Sequence, residues 1–140
     1  DSFTTYLEKD IPDLIRDLQT FDLVIGFNNK RFDNKVLSAY SVFNFATLPT
    51  LDIMEVITNR LGYRLSLDRL AEHTLGVKKS ANGLQALQWY KEGRMEEIIR
   101  YCRQDVKITR DIFLYGLENR YLLFKNKAGS IVRLPVDFSR

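Results

Sequence analysis

Asp105 is the side chain whose surroundings in this sequence most favour chemistry. On a helical wheel at about 100° per residue, it falls in the middle of an apolar stripe that includes Ile98, Cys102 and Ile112. A carboxylate in such a stripe leaves water, which is costly unless it gains a partner. The pattern therefore predicts either a satisfied core aspartate or a metal ligand or general acid–base. Tyr101, one turn earlier, reaches the same side of the helix.

Asp33 is the second candidate. It follows a short apolar run, Phe21 to Phe27, that predicts a strand buried on both faces. Sites in open α/β sheets form beyond the carboxyl ends of strands, so we expect Asn28 and Asp33 at such an edge. The alternative for Asp33 is an acidic residue in the first turn of a helix, where the helix dipole favours it.

Two carboxylates on separate elements indicate a divalent-metal site with hard oxygen ligands, of the magnesium or manganese type. Two-metal hydrolysis of a phosphodiester needs several carboxylates around ions that are about 3.5–4 Å apart. Asp33 and Asp105 alone are too few for that. The sequence has no Gly-rich phosphate loop, no HExxH motif and no Cys/His zinc spacing.

Three other candidates are weaker. His73, the only histidine, falls late in a short predicted helix, where the helix C-terminus explains it better than catalysis. Lys78 and Lys79 follow Gly76 in a predicted loop, where they either contact phosphates or are simply solvated. Cys102 lies near the centre of the apolar stripe, so we expect it in the core and not as a nucleophile.

The elements that must position these residues form a helix-rich α/β pattern. Capping residues at Asp10, Asp52 and Ser66 mark the starts of three predicted helices, and glycines mark the ends of several. In the second predicted helix, Val36, Leu37 and Tyr40 are expected to face inward. The hydrophobic pattern and turn residues predict helices at 10–18, 32–40, 52–61, 67–75, 81–92 and 95–117, strands at 21–27 and 47–51, and a hairpin at 121–125 and 131–135.

Composition bounds the class of protein. With 140 residues, 45% apolar and 28% charged, we expect one soluble domain, and no apolar run approaches the roughly 18 residues of a membrane span. The single cysteine excludes an internal disulfide and fits the reducing cytoplasm. The sequence shows no basic and then apolar leader, so nothing in it suggests secretion. The net charge is +3, and residues 76–110 carry eight basic and four acidic side chains. That excess favours either a phosphate-facing surface or an ordinary solvated helix face.

Two motifs, in order along the chain, resemble a known family. Residues 24–33, VIGFNNKRFD, resemble the second exonuclease motif of the DEDD 3′–5′ exonucleases. Residues 101–105, YCRQD, resemble the third motif in its Tyr-x-x-x-Asp form, that of the DEDDy branch. Residues 51–54 resemble the segment that opens a helix after the second motif. The order and spacing over residues 10–118 are similar to those of the ribonuclease H-like fold, closest to the YprB-like domain that is sometimes found beside helicases.

The resemblance implies a role for each matching residue. Asp33 and Asp105 would be metal carboxylates for two Mg²⁺ or Mn²⁺ ions, and Tyr101 would orient or help deprotonate the attacking water. Asn28 and Phe32 would shape the site and contact the terminal nucleotide of a single-stranded end. The basic residues between 78 and 110, which include Lys78 and Lys79, would face the backbone of the nucleic acid. A helicase domain is an implied partner.

One departure from the family pattern bears on activity. The first motif of the family, Asp-x-Glu, supplies two of four carboxylates and occurs nowhere in this sequence. Residues 1–10 resemble the stretch that follows the third strand of the family, so we expect the first three strands to lie upstream and these 140 residues alone to hydrolyse little or nothing. The alternatives are a non-catalytic nucleic-acid-binding or helicase-accessory domain, and a protein-interaction module.

Overall fold

The computed structural model describes residues 2–78 and 82–139. The chain divides into two compact units whose boundary lies between Val56 and Ile57. None of the described helices is long and apolar enough to cross a membrane. The helices are α1 (Ile11–Leu18), α2 (Asp33–Leu37), α3 (Ile53–Leu61), α4 (Leu67–Thr74), α5 (Gly83–Lys91) and α6 (Met95–Asn119), and the strands are β1 (Val24–Gly26), β2 (Thr50–Asp52), β3 (Tyr121–Lys125) and β4 (Ile131–Pro135).

A two-stranded parallel sheet lies in the first unit. Strands β1 and β2 pair in the register Val24↔Thr50 and Gly26↔Asp52, which brings their carboxyl ends side by side. The expectation that the first strand is buried on both faces is wrong, because β1 is short and only half-buried, whereas β2 is buried throughout. The second strand starts later than predicted because residues 45–47 form a 3-10 turn, which the Asn44 side chain caps.

The hydrophobic core of the first unit joins α1 to the segment before β2. Its buried side chains are Ile15, Phe45 and Leu48, and Leu37 of α2 packs against them. The prediction that Val36 and Tyr40 also face inward is wrong, since both are about half exposed. Helix α2 ends at Leu37 and the chain turns, so the helical spacing that would bring Tyr40 to the same face is broken.

The second unit packs helices on an antiparallel hairpin. Strands β3 and β4 pair from Tyr121↔Pro135 to Lys125↔Ile131, as the sequence predicted, and α4 and α6 contact β3. The Thr74 hydroxyl of α4 both donates to Leu123 O and accepts from Leu123 N, each at 2.9 Å. This pair of bonds fixes α4 against the edge of β3.

The fully buried residues of α6 all lie in its second half. Ile108, Ile112 and Gly116 are buried, whereas Cys102 is exposed. The expectation that Cys102 lies in the core is therefore wrong. A helical wheel gives the angle of a residue around the helix, but it does not show how far along the helix the packed partners extend.

Gly116 is the close-packing point between α6 and the segment after β4. A Cβ there would overlap the Phe138 ring and lie 3.2 Å from Val136 Cγ2. We expect Gly116→Ala to lower the free energy of unfolding by about 1–3 kcal/mol, the usual cost of overpacking, as measured by urea denaturation. Gly83→Ala is the control, because its added Cβ lies more than 4 Å from every described atom outside its chain neighbours and its own helix backbone. Equal stability of the two variants would contradict the packing described here.

Candidate functional site

Asp52 is a buried carboxylate at the end of β2, with 3% of its surface exposed. Its Oδ1 accepts from Asn28 N at 2.7 Å and from Met54 N at 3.0 Å, and its Oδ2 accepts from Lys30 N at 3.1 Å. The bond from Met54 agrees with the predicted cap of α3. The other two tie the loop after β1 to the end of β2.

The loop that Asp52 holds comprises residues 28–32, and its first residue has a left-handed backbone. Asn28 has φ of 64°, a conformation that asparagine tolerates better than most residues. This turn lets the N–H groups of Asn28 and Lys30 point at the same carboxylate. From the sequence, Asp52 was expected only as a helix cap, and its bonds to this loop were not predicted. One signal in the sequence could have indicated them: Asp52 stands at the end of the second predicted strand, and sites form where the ends of adjacent strands meet.

Asn29 fills the space above the end of β1. Only 6% of its surface is exposed, and a Cβ built on Gly26 would come within 2.5 Å of Asn29 Cγ. Glycine is therefore required at position 26 for this side chain to fit. The Oδ1 atoms of Asn28 and Asn29 are both buried and accept no hydrogen bond from the described residues. Such oxygens are costly unless a donor or a cation satisfies them.

Asp33 begins α2, directly after this loop. Asn34 N donates to Asn29 O at 2.8 Å and Phe32 N donates to Asn28 O at 3.0 Å, so the loop and the helix are joined by backbone bonds. Desolvation, and then the negative charge of Asp52, raise the pKa of Asp33 above its ordinary value. The Phe32 side chain beside it is 62% exposed. The loop thus presents one carboxylate and one aromatic ring.

Asp105 and Tyr101 lie one turn apart on α6, and both are half-buried. The Oδ1 atom of Asp105 is shielded from solvent, and its backbone oxygen accepts from Thr109 Oγ1 at 2.7 Å. Desolvation, and then the Asp105 charge, raise the pKa of the Cys102 thiol. A raised pKa leaves less thiolate at neutral pH and makes Cys102 a poor nucleophile.

The predicted site residues fall in both units. Asn28, Phe32 and Asp33 belong to one loop and helix of the first unit, and Tyr101 and Asp105 belong to α6 of the second. Lys78 is exposed in the stretch that follows α4, and Lys79 lies outside the described residues. Over residues 2–78 and 82–139, no three His, Cys, Asp or Glu side chains group to hold a metal ion.

Comparison with known families now decides the class. A family model described as RNase_H superfamily matches residues 4–115. The chain belongs to the RNase H superfamily. This agrees with the ribonuclease H-like resemblance, and nuclease-type domains of this superfamily bind nucleic acid and generally use divalent metal ions. No curated protein and no solved structure matches the chain. The matched range contains the Asn28–Asp33 segment, Tyr101 and Asp105, and it ends before β3.

The charge of Asp52 acts on Asp33, which gives a direct test of the loop. We expect Asp52→Asn to lower the pKa of Asp33 toward its ordinary value, because one of the two causes of the rise is removed. The measurement is a pH titration of the Asp33 carboxyl carbon by NMR. Glu55→Gln is the matched control: it removes one negative charge from the neighbouring turn of α3, where Glu55 bonds Lys30 Nζ. A shift of equal size in both variants would refute a specific coupling between Asp52 and Asp33.

Proposed function

We propose that this chain is the core of a metal-dependent 3′–5′ exonuclease domain of the DEDDy type, acting on the single-stranded end of DNA or RNA. The proposal rests on the order of the two motifs along the chain. An Asn28–Asp33 loop, tied to the end of β2 by a buried carboxylate, precedes Tyr101 and Asp105 on a long helix. Both lie within the range that matches the superfamily.

Asp33 and Asp105 are the residues of this chain that would hold Mg²⁺ or Mn²⁺. The chemistry of the donors fits, since carboxylate and amide oxygens are what these ions prefer, and the buried Oδ1 atoms of Asn28 and Asn29 add two such oxygens. When bound, divalent ions supply charge that polarises the phosphoryl group and lowers the pKa of the attacking water. The count does not fit a complete site, because the described residues hold no group of three ligand side chains.

The remaining residues act on the substrate. Tyr101, one turn before Asp105, would orient the water for attack. The exposed ring of Phe32 would stack on the terminal base, and Asn28 would shape the space beside it. Lys78, Lys79 and the other basic residues up to position 110 would neutralise the phosphates of the strand.

A non-catalytic nucleic-acid-binding domain, or a helicase accessory domain, is the second candidate. The missing Asp-x-Glu sequence and the incomplete set of ligands favour it. Such a domain retains salt-dependent binding of single strands and cleaves nothing. A helicase domain would be its partner in either case.

Removal of one candidate carboxylate tests the exonuclease proposal. In the full-length natural protein with Mg²⁺ or Mn²⁺, we expect stepwise loss from the 3′ end of single-stranded oligonucleotides labelled at either end. Asp105→Asn should slow it by about 100-fold or more, the scale of losing one group that stabilises the transition state. The control is Asp111→Asn, since Asp111 lies on the same helix and pairs with Arg110.

Two outcomes separate the candidates. Loss from the 3′ end that requires metal and disappears only in Asp105→Asn supports the exonuclease. Binding without trimming in either metal refutes it and favours the accessory domain. We expect the 140 residues alone to trim little or nothing, because two carboxylates hold the ions weakly.

Replacing Phe32 tests substrate contact without a change in the stability of the fold. Phe32→Ala should raise KM for single-stranded substrate about tenfold, within the roughly 1–3 kcal/mol that stacking on one base contributes. Because the ring is exposed, the thermal midpoint should stay unchanged. Tyr40→Ala removes another exposed ring that follows α2 and should leave KM as it is. A normal KM in Phe32→Ala would remove Phe32 from the substrate-binding residues.

A further inference from the structure

The hairpin of β3 and β4 lies beyond residues 4–115, the range that matches the superfamily, and its charge is one-sided. Residues 119–136 contain four basic side chains and no acidic one. All the charged side chains of this segment are therefore basic, and nothing in the proposed site uses it.

The two faces of the hairpin differ in character. Alternate residues point to opposite faces of a strand, and Leu122, Phe124 and Leu134 form the inner face, each at most 2% exposed. Given the register of the strands, the opposite face carries Tyr121, Leu123, Lys125, Ile131, Arg133 and Pro135. This outer face is accessible, with Lys125, Ile131 and Arg133 exposed.

The cations on the outer face are held without acidic partners. Arg133 lies over the Tyr121 ring, with 4.4 Å from its Cζ to the ring centroid. Arg69 of α4 donates from Nη2 to Lys125 O at 2.6 Å, which adds a guanidinium at the edge of β3. Lys127 lies in the turn. Among the ion pairs of the described residues, none involves Lys125, Lys127 or Arg133.

Several basic side chains elsewhere in the described residues do pair with carboxylates. Arg16 pairs with Asp13 and Asp17, and Arg100 pairs with Glu97. The outer face carries cations that face water without a carboxylate, together with a half-buried ring and apolar side chains. This combination matches a polyanion with planar bases. Phosphates meet the cations and bases contact the ring and the apolar side chains.

We propose that this outer face, which we call the hairpin cation face (Tyr121, Lys125, Lys127 and Arg133, with Arg69 at its edge), binds the phosphate backbone of a single-stranded nucleic acid. The inference rests on the proposed function for the source of the strand, the same molecule whose end is processed. It adds a binding surface beyond the residues that resemble the exonuclease motifs. Binding there holds the strand without taking part in cleavage.

Charge reversal on this face tests the proposal. Affinity of the chain for fluorescent oligothymidylate and oligouridylate is measured by anisotropy over a range of salt concentrations. We expect Lys125→Glu/Arg133→Glu to weaken binding about tenfold or more. The slope of log affinity against log salt should fall by about 1.4, since each phosphate contact on a single strand contributes about 0.7.

The control carries the same change in net charge at exposed positions outside the face, Lys9→Glu/Arg60→Glu. Lys125→Gln/Arg133→Gln gives a milder version, and circular dichroism with thermal unfolding confirms that each variant folds. Equal loss in the hairpin and control variants would show a general charge effect and overturn the proposal. Unchanged binding in the hairpin variants would overturn it too.

Two further measurements fix the partner and separate this proposal from the exonuclease. Binding measured in EDTA, where no divalent ion supports cleavage, should keep its dependence on the hairpin, so the two proposals fail independently. Polyglutamate and phosphatidylserine vesicles are tested in parallel. A hairpin variant that loses either of these ligands but keeps the oligonucleotide would assign the face to an acidic protein or a membrane, against the proposal.

Discussion

The carboxylate of Asp52 is the interaction on which the candidate site depends. One buried anion accepts three backbone N–H bonds, and bonds to a charged acceptor are each worth about 1.5–3 kcal/mol. These bonds set the left-handed turn at Asn28, and the hydrogen bonds from Asn34 and Phe32 back to the loop carry that order into α2. Asp33 has its position because the enclosed carboxylate of Asp52 holds the loop that leads into α2.

The loop and α6 differ in the chemical groups that each would bring to the proposed function. The loop brings oxygen atoms together: the Asp33 carboxylate and two buried amide oxygens that no described residue satisfies. Helix α6 brings a hydroxyl and a carboxylate in successive turns, Tyr101 and Asp105. Both sets of groups are of the kind that the proposed reaction would need, because hydrolysis of a phosphodiester needs hard oxygen ligands and an oriented water.

Local signals in the sequence were enough for the elements whose ends are set by their own residues. Ser66 caps α4 by accepting from Arg69 N, Gly62 and Gly76 take positive φ after their helices, and the hairpin has the predicted strands. Where burial depends on a distant partner, the sequence was a poor guide: Cys102 is exposed. For the candidate site, the sequence alone predicts Asp33 and Asp105, and both stay predictions. The bonds of Asp52 to the loop could not be predicted without the register of β1 and β2.

The two bonds between Thr74 and Leu123 also limit which edge of the hairpin can pair with a further strand. The backbone N–H and C=O groups of the even-numbered residues of β3 point toward β4, as the bonds from Val136 N to Arg120 O and from Asn126 N to Ser130 O require. The backbone groups of Leu123 and Lys125 therefore point away from β4, at the edge of the hairpin. Thr74 occupies both groups of Leu123, and Arg69 occupies the Lys125 oxygen. An incoming strand therefore finds the middle of the β3 edge already bonded. Of the two edges of the hairpin, β4 is the more open to pairing, and this strand carries an arginine and ends in a proline.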